Sequence, residues 1–324
     1  MEAAVIVTYR CNARCYMCNT WKYPSKADDE LSPGLLEKLP KLDFCNITGG
    51  EPFLRSDIEE ILKVLRKKTK RIVISTNGFF TERILQVITK YRDTGIRISI
   101  EGLQKANDEL RGIKSGFDHA LRTLLELNRA GVSDIGFGIT VSDRNARDMI
   151  ELYQLAKAMN LEFATATVHN SFYFHKHDNV ISRQDDVIEC FSELIKELLK
   201  TGRVKNWFRA YFNYGLVNHI RGKKRLLPCE AGIENFFVTP SGDIVPCNGS
   251  DEPWIIGNLK ELDWSDIWVG DKIEEIRRKV KKCQKNCWMI GTAAPVMKKY
   301  LNVPLGWVVK NKLRSLMGKQ ICLD

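Results

Sequence analysis

Seven of the ten cysteines in this chain stand in two groups whose spacing suits metal binding. In the first group, within CNARCYMC, three residues separate Cys11 from Cys15 and two separate Cys15 from Cys18. Three thiolates on one loop can each ligate one iron of a 4Fe-4S cluster and leave the fourth iron open to another ligand. Structural zinc sites usually have four protein ligands and paired CX2C knuckles. The spacing therefore favours a cluster with one open coordination position, with zinc as the alternative.

The second group, Cys229, Cys247, Cys283 and Cys287, lies in the last third of the chain. The turn sequence Pro240-Ser-Gly-Asp243 separates the first two of these cysteines and predicts a hairpin that brings them together. Four thiolates suit either a second iron-sulfur cluster or a zinc ion, and the spacing alone leaves both open.

Short β-rich segments alternate with helical patterns through the first two-thirds of the chain and must position these cysteines. Parallel strands joined by helices close into a barrel or open as a doubly wound sheet. No G-x-G-x-x-G motif follows the first strand, which favours the barrel. The predicted fold class is α/β, a partial (β/α)6 TIM-like barrel. Its predicted strands are Ala3–Tyr9, Phe44–Thr48, Arg71–Asn77, Ile96–Glu101, Asp134–Ser142 and Glu162–Asn170, and two helices, Asp185–Leu199 and Asn206–Ile220, are predicted to follow.

Glycines and a glutamate follow the second predicted strand, in the segment Thr48-Gly-Gly-Glu-Pro52, about 30 residues after the first cysteines. Together with the CX3CX2C loop after the first strand, this segment resembles the radical S-adenosylmethionine (SAM) superfamily. The resemblance implies an enzyme in which the amino and carboxylate groups of SAM occupy the open iron. It also implies that Gly49, Gly50 and Glu51 hold the methionyl amino group.

Further cofactor contacts are implied by the same resemblance. Ser99 and Glu101 match positions that contact the SAM ribose and carboxylate. Arg111 is a candidate partner for that carboxylate, the alternative being an exposed loop arginine. Asn77 is a candidate for cofactor or substrate binding. Met17 stands where the family usually has an aromatic residue against the adenine, and methionine can also pack on a ring.

The later cysteines resemble the twitch domain, a shortened form of the SPASM domain, and this implies one auxiliary 4Fe-4S cluster on all four of them. A full SPASM domain needs more cysteines than remain. We therefore expect a radical SAM core with trailing helices over residues 1–225, a small cysteine-rich twitch/SPASM-like domain over 226–295 and a basic amphipathic tail over 296–324. The tail is expected to pack on its own domain, with an anionic membrane or a partner as the alternative.

Polar residues alternate along two of the predicted strands, as in Arg97, Ser99 and Glu101, and predict a cavity for a polar ligand at the strand ends. The alternative is a set of mutually satisfied core hydrogen bonds. His169 ends the sixth strand and is a candidate catalytic base, followed by a segment predicted to cover the barrel mouth. Cys45 is a candidate hydrogen-atom donor, with simple packing as the alternative.

The predicted reaction begins with reductive cleavage of SAM to a 5'-deoxyadenosyl radical, which abstracts a hydrogen atom from a polar substrate. The leading hypothesis is oxidation of a sugar or polyol alcohol with the auxiliary cluster as electron acceptor. A SPASM-type peptide or protein maturase is the alternative, and the start of the chain close to the first strand is expected to leave no room for a peptide-recognition domain. A radical saccharide epimerase would require Cys45 or another thiol. A non-catalytic electron carrier or zinc module would leave the segment Gly49-Gly-Glu-Pro52, called the GGEP segment below, unexplained.

The composition of the chain limits its possible cellular location and binding partners. The chain has no signal-peptide pattern and no stretch of about 18 apolar residues, so a cytoplasmic location is expected. The formal net charge of +10 is compatible with an acidic electron donor such as flavodoxin or ferredoxin. No RNA-binding motif accompanies the charge, which argues against nucleic acid as a partner.

Overall fold

The computed structural model describes residues 1–317 and 319–323. Six parallel strands stand side by side and make up one end of its sheet. Each strand pairs with the next in chain order, and β6 does not pair with β1 within the described residues. The predicted α/β partial TIM-like barrel is confirmed. Its strands are β1 (Glu2–Ile6), β2 (Phe44–Thr48), β3 (Ile72–Thr76), β4 (Gly95–Ser99), β5 (Ile135–Val141) and β6 (Glu162–Thr167).

Helices connect these strands because parallel neighbours need a crossover. Their apolar stripes face the core, as in α1, which buries Ile58, Ile61, Leu62 and Leu65. α3 differs, because it buries Asn107, Leu110 and Arg111 and packs on α4. The connecting helices are α1 (Ile58–Arg66), α2 (Thr81–Ile88), α3 (Gln104–Arg111), α4 (Gly116–Arg129) and α5 (Asp148–Ala158).

Two longer helices follow the barrel, α6 (Gln184–Lys200) and α7 (Val204–Ile220). They pack against each other, and α7 also packs on β6. Both predicted helices are confirmed within two residues at each end.

The auxiliary region continues the barrel sheet instead of forming a sheet of its own. β7 (Asn235–Val238) pairs in parallel with β1, and β8 (Asp243–Val245) and β9 (Gly257–Asn258) add antiparallel strands beyond it. The predicted hairpin turn is present, with Thr239 N–H donating to Asp243 O over 2.9 Å and Gly242 at φ +96°. The domain boundary at 225/226 stays a prediction.

The remaining helices are α8 (Trp264–Trp268), α9 (Asp271–Lys282), α10 (Ile290–Lys299) and α11 (Asn302–Leu316), with 3-10 turns at Thr20–Lys22, Ala27–Asp29, Pro33–Lys38 and Pro52–Leu54.

The basic tail packs one face on its own domain, as predicted. The Trp307 ring of α11 stacks on Tyr214 of α7 with centroids 5.0 Å apart and planes 8° apart. Val308 and Asn311 on the same face are buried. Gly318 and Asp324 of the predicted tail lie outside the described residues. Within the part of the chain that the structure describes, no helix is long and apolar enough to cross a membrane.

Replacing either of two helical glycines by alanine should change the free energy of unfolding, in opposite directions at the two positions. A Cβ on Gly215 of α7 would collide with the indole of Trp288, whereas a Cβ on Gly306 of α11 meets nothing within 4 Å. We expect Gly215→Ala to lower the free energy of unfolding by about 1–3 kcal/mol through overpacking. Gly306→Ala should raise it by about 0.5–1 kcal/mol, because alanine favours the helix. Anaerobic chemical denaturation checks both, and shifts of the same sign would contradict the packing described.

Candidate iron-sulfur and cofactor site

Three cysteines lie on the loop that follows β1, inside the opening of the barrel. Burial raises the pKa of Cys11 to about 12 and that of Cys15 to about 11, and it also raises the pKa of Cys18. The guanidinium of Arg111 opposes this rise at all three thiols, because a nearby cation favours the thiolate. The loop therefore concentrates three thiols that need a positive partner to ionise.

Hydrogen bonds hold the cysteine loop in place. The N–H groups of Ala13 and Thr20 donate to the sulfurs of Cys11 and Cys18 over 3.4 and 3.5 Å. The backbone of the loop is tied to the end of α3, since Arg14 N–H donates to the carbonyl of Arg111 over 2.9 Å. Gly112 follows at φ +56°, and a Cβ there would lie 2.7 Å from the Arg14 carbonyl.

This donor set fits a 4Fe-4S cluster with an open iron. The three cysteines are partly buried, two of their sulfurs accept N–H groups, and a cation stands beside them. Nowhere in residues 1–317 and 319–323 do three His, Cys, Asp or Glu side chains converge where a single metal ion could bind. A cluster does not require such convergence, because each cysteine ligates a different iron.

The GGEP segment packs directly against the end of β1. Gly50 N–H donates to Thr8 O over 2.7 Å, and a Cβ on Gly49 would lie 2.6 Å from the same oxygen. A Cβ on Gly50 would collide with the carbonyl of Arg10. Both glycines are thus required by the close approach of two backbone segments, and their predicted role toward the SAM amino group stays a prediction.

Glu51 is fully buried and joins the ends of two strands. Its carboxylate accepts hydrogen bonds from Phe53 N at 3.1 Å, Thr76 Oγ1 at 2.8 Å and Asn77 N at 2.7 Å. Burial raises the pKa of Glu51, and these donors oppose that rise. A carboxylate has about four acceptor positions, so one remains for a ligand such as an amino group. The amide of Asn77 donates to Asn12 Oδ1 over 2.7 Å, which brings the predicted residue to the cysteine loop.

Arg111 and Glu101 form a buried ion pair, 3.1 Å between Nη1 and Oε1. The other carboxylate oxygen of Glu101 accepts Thr140 N–H at 2.6 Å. Arg111 is 8% exposed, so the alternative of an exposed loop arginine is wrong. Its Nε has no partner among the described residues and is available to a ligand. Ser99 ends β4, two residues before Glu101.

Met17 lies in a small apolar cluster with Leu110 and Val168, against which Cys15 packs. This cluster joins the cysteine loop to α3 and to the end of β6. The predicted adenine contact of Met17 stays a prediction.

Some polar side chains on the strands have hydrogen-bond or ion-pair partners within the protein, and others do not. Arg97 pairs with Asp134 over 2.5 Å, and Thr165 Oγ1 donates to Asn213 over 2.8 Å. For these residues the alternative of internal hydrogen bonding is correct. His169 differs, because its Nδ1 lies 3.2 Å from Thr167 O while Nε2 is buried with no partner in the described structure.

Burial lowers the pKa of His169 to about 4. The imidazole is therefore neutral at neutral pH, and the hydrogen bond to Thr167 O places its proton on Nδ1. The bare Nε2 can then accept a hydrogen bond or a proton from a ligand, and the lowered pKa makes it a weaker base than an ordinary imidazole.

Two residues of the segment over the barrel mouth contribute contacts that the sequence analysis did not assign. Tyr173 O–H donates to the carbonyl of Gly49 over 2.7 Å. The amide of Asn179 donates to the carbonyls of Met17 at 3.1 Å and His169 at 2.9 Å. The only sequence signal was their position in a polar, aromatic stretch after the sixth strand.

The four later cysteines lie near one another. Burial raises the pKa of Cys287 to about 12, and the other three cysteines, Cys229, Cys247 and Cys283, raise it further by their charge. Arg225 lowers it and donates to the carbonyl of Cys287. Four neighbouring thiols beside a cation fit an iron-sulfur cluster, with the same donor chemistry as the first site.

Cys45 lies outside both groups. It is 0% exposed on β2, in the main hydrophobic core, and burial raises its pKa to about 12. This environment is what the packing alternative requires.

Comparison with known proteins identifies the family. A model of the radical SAM superfamily matches residues 5–156, which contain the cysteine loop and the GGEP segment. The chain belongs to the radical SAM superfamily. Residues 229–288, with the four later cysteines, match SPASM, an iron-sulfur cluster-binding domain. This radical SAM enzyme therefore uses SAM, a 4Fe-4S cluster and an auxiliary iron-sulfur cluster, as predicted.

Named relatives differ in their reactions. The Fe-coproporphyrin III synthase of Methanosarcina barkeri is 32% identical over 158 residues, which are 46% of this chain and 39% of that protein. The mycofactocin maturase MftC of Mycolicibacterium smegmatis is 29% identical over 81% of this chain and 68% of its own length. The chain thus spans well under half of the first relative and about two-thirds of the second.

Among solved structures, anSMEcpe with bound AdoMet has a TM-score of 0.66 at 15% identity and covers 97% of this chain and 99% of its own. The same protein with bound AdoMet and the Cp18Cys peptide has a TM-score of 0.64 at 16% identity, covering 97% and 98%. This likeness shows a fold shared with that protein over 97% of this chain.

The first cysteine group can be tested against the buried cysteine of the core. After anaerobic reconstitution, wild type should hold about eight irons and Cys15→Ala about four, because one cluster loses a ligand. Cys15→Ala should also form no 5'-deoxyadenosine from SAM. Cys45→Ala is the matched control and should keep both the iron content and SAM cleavage. Full iron loading of Cys15→Ala would contradict the assignment.

Proposed function

We propose that this radical SAM SPASM enzyme modifies a peptide, abstracting a hydrogen atom from one of its residues. The observation that carries this proposal is the fold shared over 97% of the chain with a protein whose structure holds both AdoMet and a peptide. The peptide-maturase alternative is thereby favoured over sugar or polyol oxidation. When bound, the first cluster supplies the electron that cleaves SAM, and the auxiliary cluster can act as an electron acceptor.

A cleft beside the cysteine loop supports a peptide as substrate. It has a volume of about 340 Å³ and lies between the segment over the barrel mouth and the β7–β8 turn of the auxiliary region. Its lining combines aromatic rings, imidazoles, hydroxyls and carboxylates: Tyr9, Phe172, His175, His177, Thr239, Ser241, Asp243, Asp251 and Pro253. Such mixed lining can bind both the backbone amides and the side chains of a peptide.

Tyr9 connects this cleft to the cofactor site. It precedes Cys11 by two residues, and its ring centroid lies 6.0 Å from that of Tyr173, whose hydroxyl binds Gly49. Burial raises the pKa of Tyr9 to about 12, so the phenol stays neutral and can donate a hydrogen bond at neutral pH. A peptide in the cleft would thus enter next to the cysteine loop.

A second candidate function, oxidation of an alcohol, is favoured by His169 alone. Its neutral imidazole with an unpartnered buried Nε2 could take the hydroxyl proton while the carbon loses a hydrogen atom. The two candidates share the first steps and differ in the substrate.

The substrate class can be decided with two mixtures of probes. We expect a tryptic digest of bacterial proteins to stimulate 5'-deoxyadenosine formation by reconstituted wild type at least about threefold, because a bound substrate gives its hydrogen atom to the 5'-deoxyadenosyl radical. A mixture of hexoses and polyols should give no stimulation. Mass spectrometry should then find peptides lighter by two hydrogen atoms. Stimulation by the polyols alone, with an oxidised sugar as product, would replace the proposed function by the second candidate.

His169 can be tested by the pH dependence of product formed per 5'-deoxyadenosine. Because its pKa is lowered to about 4, the base stays neutral, and the ratio should remain constant from about pH 6 to 8. His169→Gln should lower the ratio about 10²-fold or more at every pH if His169 is the base. SAM cleavage should persist in that variant. A ratio that falls below pH 6.5 in wild type would contradict a buried neutral imidazole.

A further inference from the structure

An apolar stripe runs along the outer face of α11 and faces solvent. Its members are spaced as neighbours on one side of a helix, four or three residues apart. Their exposed fractions are Leu305 38%, Val309 57%, Leu313 54%, Leu316 83% and Met317 60%.

The stripe is not needed to hold the helix on the protein. Pro304, Val308 and Asn311 form the buried face, and the stacked Trp307 anchors the same side. A helix with apolar residues on two opposite faces is normally covered on both. Among the described residues nothing covers the outer face.

Basic residues border the stripe on both sides. At helical spacing, Lys312 falls on one edge, and Lys310 and Arg314 fall on the other. Residues 290–317 contain no aspartate or glutamate. None of the three cations forms an ion pair with a carboxylate in residues 1–317 and 319–323; they contact only neutral groups, such as Leu199 O for Lys312 at 2.8 Å and Gln320 O for Arg314 at 2.8 Å.

The start of α7 extends this surface. Lys312 also binds Thr201 O over 3.3 Å and lies 4.2 Å from the ring centroid of Trp207. Val204, three residues after Thr201, is 54% exposed. An indole at the edge of an apolar and basic surface suits the boundary between lipid headgroups and acyl chains.

We propose that the outer face of α11 docks on an anionic membrane surface. Its apolar stripe would enter the headgroup boundary while the bordering cations bind anionic headgroups. A second copy of this chain fits less well, because the bordering cations and the net charge of +10 would repel each other. The charge pattern therefore selects a negatively charged partner surface, and the apolar stripe between the cations suits the headgroup boundary of an anionic bilayer.

Vesicle co-sedimentation of the reconstituted holoenzyme tests this proposal. Wild type should bind vesicles of phosphatidylcholine containing about one-third phosphatidylglycerol at least about tenfold more tightly than vesicles of phosphatidylcholine alone, and salt should weaken the binding. The double variant Val309→Ser/Leu313→Ser should lose at least about tenfold of this affinity. Val269→Ser, which changes a 75% exposed valine elsewhere, is the matched control and should bind as wild type.

The charge-reversal variant Lys310→Glu/Arg314→Glu keeps the apolar stripe and should also lose binding. SAM cleavage equal to wild type in both double variants would show that the fold is retained. Failure of wild type to bind the anionic vesicles would overturn the proposal. So would a concentration-dependent dimer that Val309→Ser/Leu313→Ser abolishes, since the stripe would then be a contact between copies of the chain.

Discussion

The cysteine loop depends on one buried ion pair, between Arg111 and Glu101. Both side chains are nearly inaccessible to water, and either charge alone would be strongly destabilising there. Glu101 is fixed by the backbone of β5, and the end of α3 accepts N–H groups from the loop at Arg14 and Tyr16. Strand, helix and loop therefore share one electrostatic network. The same guanidinium favours the thiolate form of the three cysteines, so the charge that positions the loop also prepares it to ligate iron.

The GGEP segment meets a second constraint, which is steric. Two backbone segments approach so closely at Gly49 and Gly50 that neither position accepts a side chain. Glu51 then accepts two hydrogen bonds from the end of β3, at Thr76 and Asn77, and so joins the segment after β2 to that strand; a third comes from Phe53 N–H in its own segment. The residues expected to bind SAM thus also build the barrel opening. A substitution here would change folding and cofactor binding together, and a loss of activity alone could not assign a SAM contact.

Local patterns were enough to predict the barrel, because strand alternation, helical spacing and the cysteine motif each depend on residues close in sequence. The six strands, α6, α7 and the hairpin at Gly242 were predicted for this reason. Contacts between distant segments were not: the pairing of β7 with β1, the bond from Tyr173 to Gly49 and the bridge made by Asn179 join residues with no shared local pattern. The exposed-loop alternative for Arg111 was wrong because its burial depends on Glu101, ten residues away on another element.

Hydrogen bonds link the surroundings of the two cysteine groups, although the groups lie more than 200 residues apart in sequence. Phe172 N–H, in the segment over the barrel mouth, donates to Ser250 O just after Cys247 over 3.1 Å. On the other side, His219 of α7 pairs with Asn286, next to Cys287. The segment over the mouth is therefore held between the GGEP segment, through Tyr173, and the later cysteines, through Ser250. Any substrate that displaces this segment must strain contacts at both groups. The fold thus couples access to the barrel to the geometry of both cysteine groups.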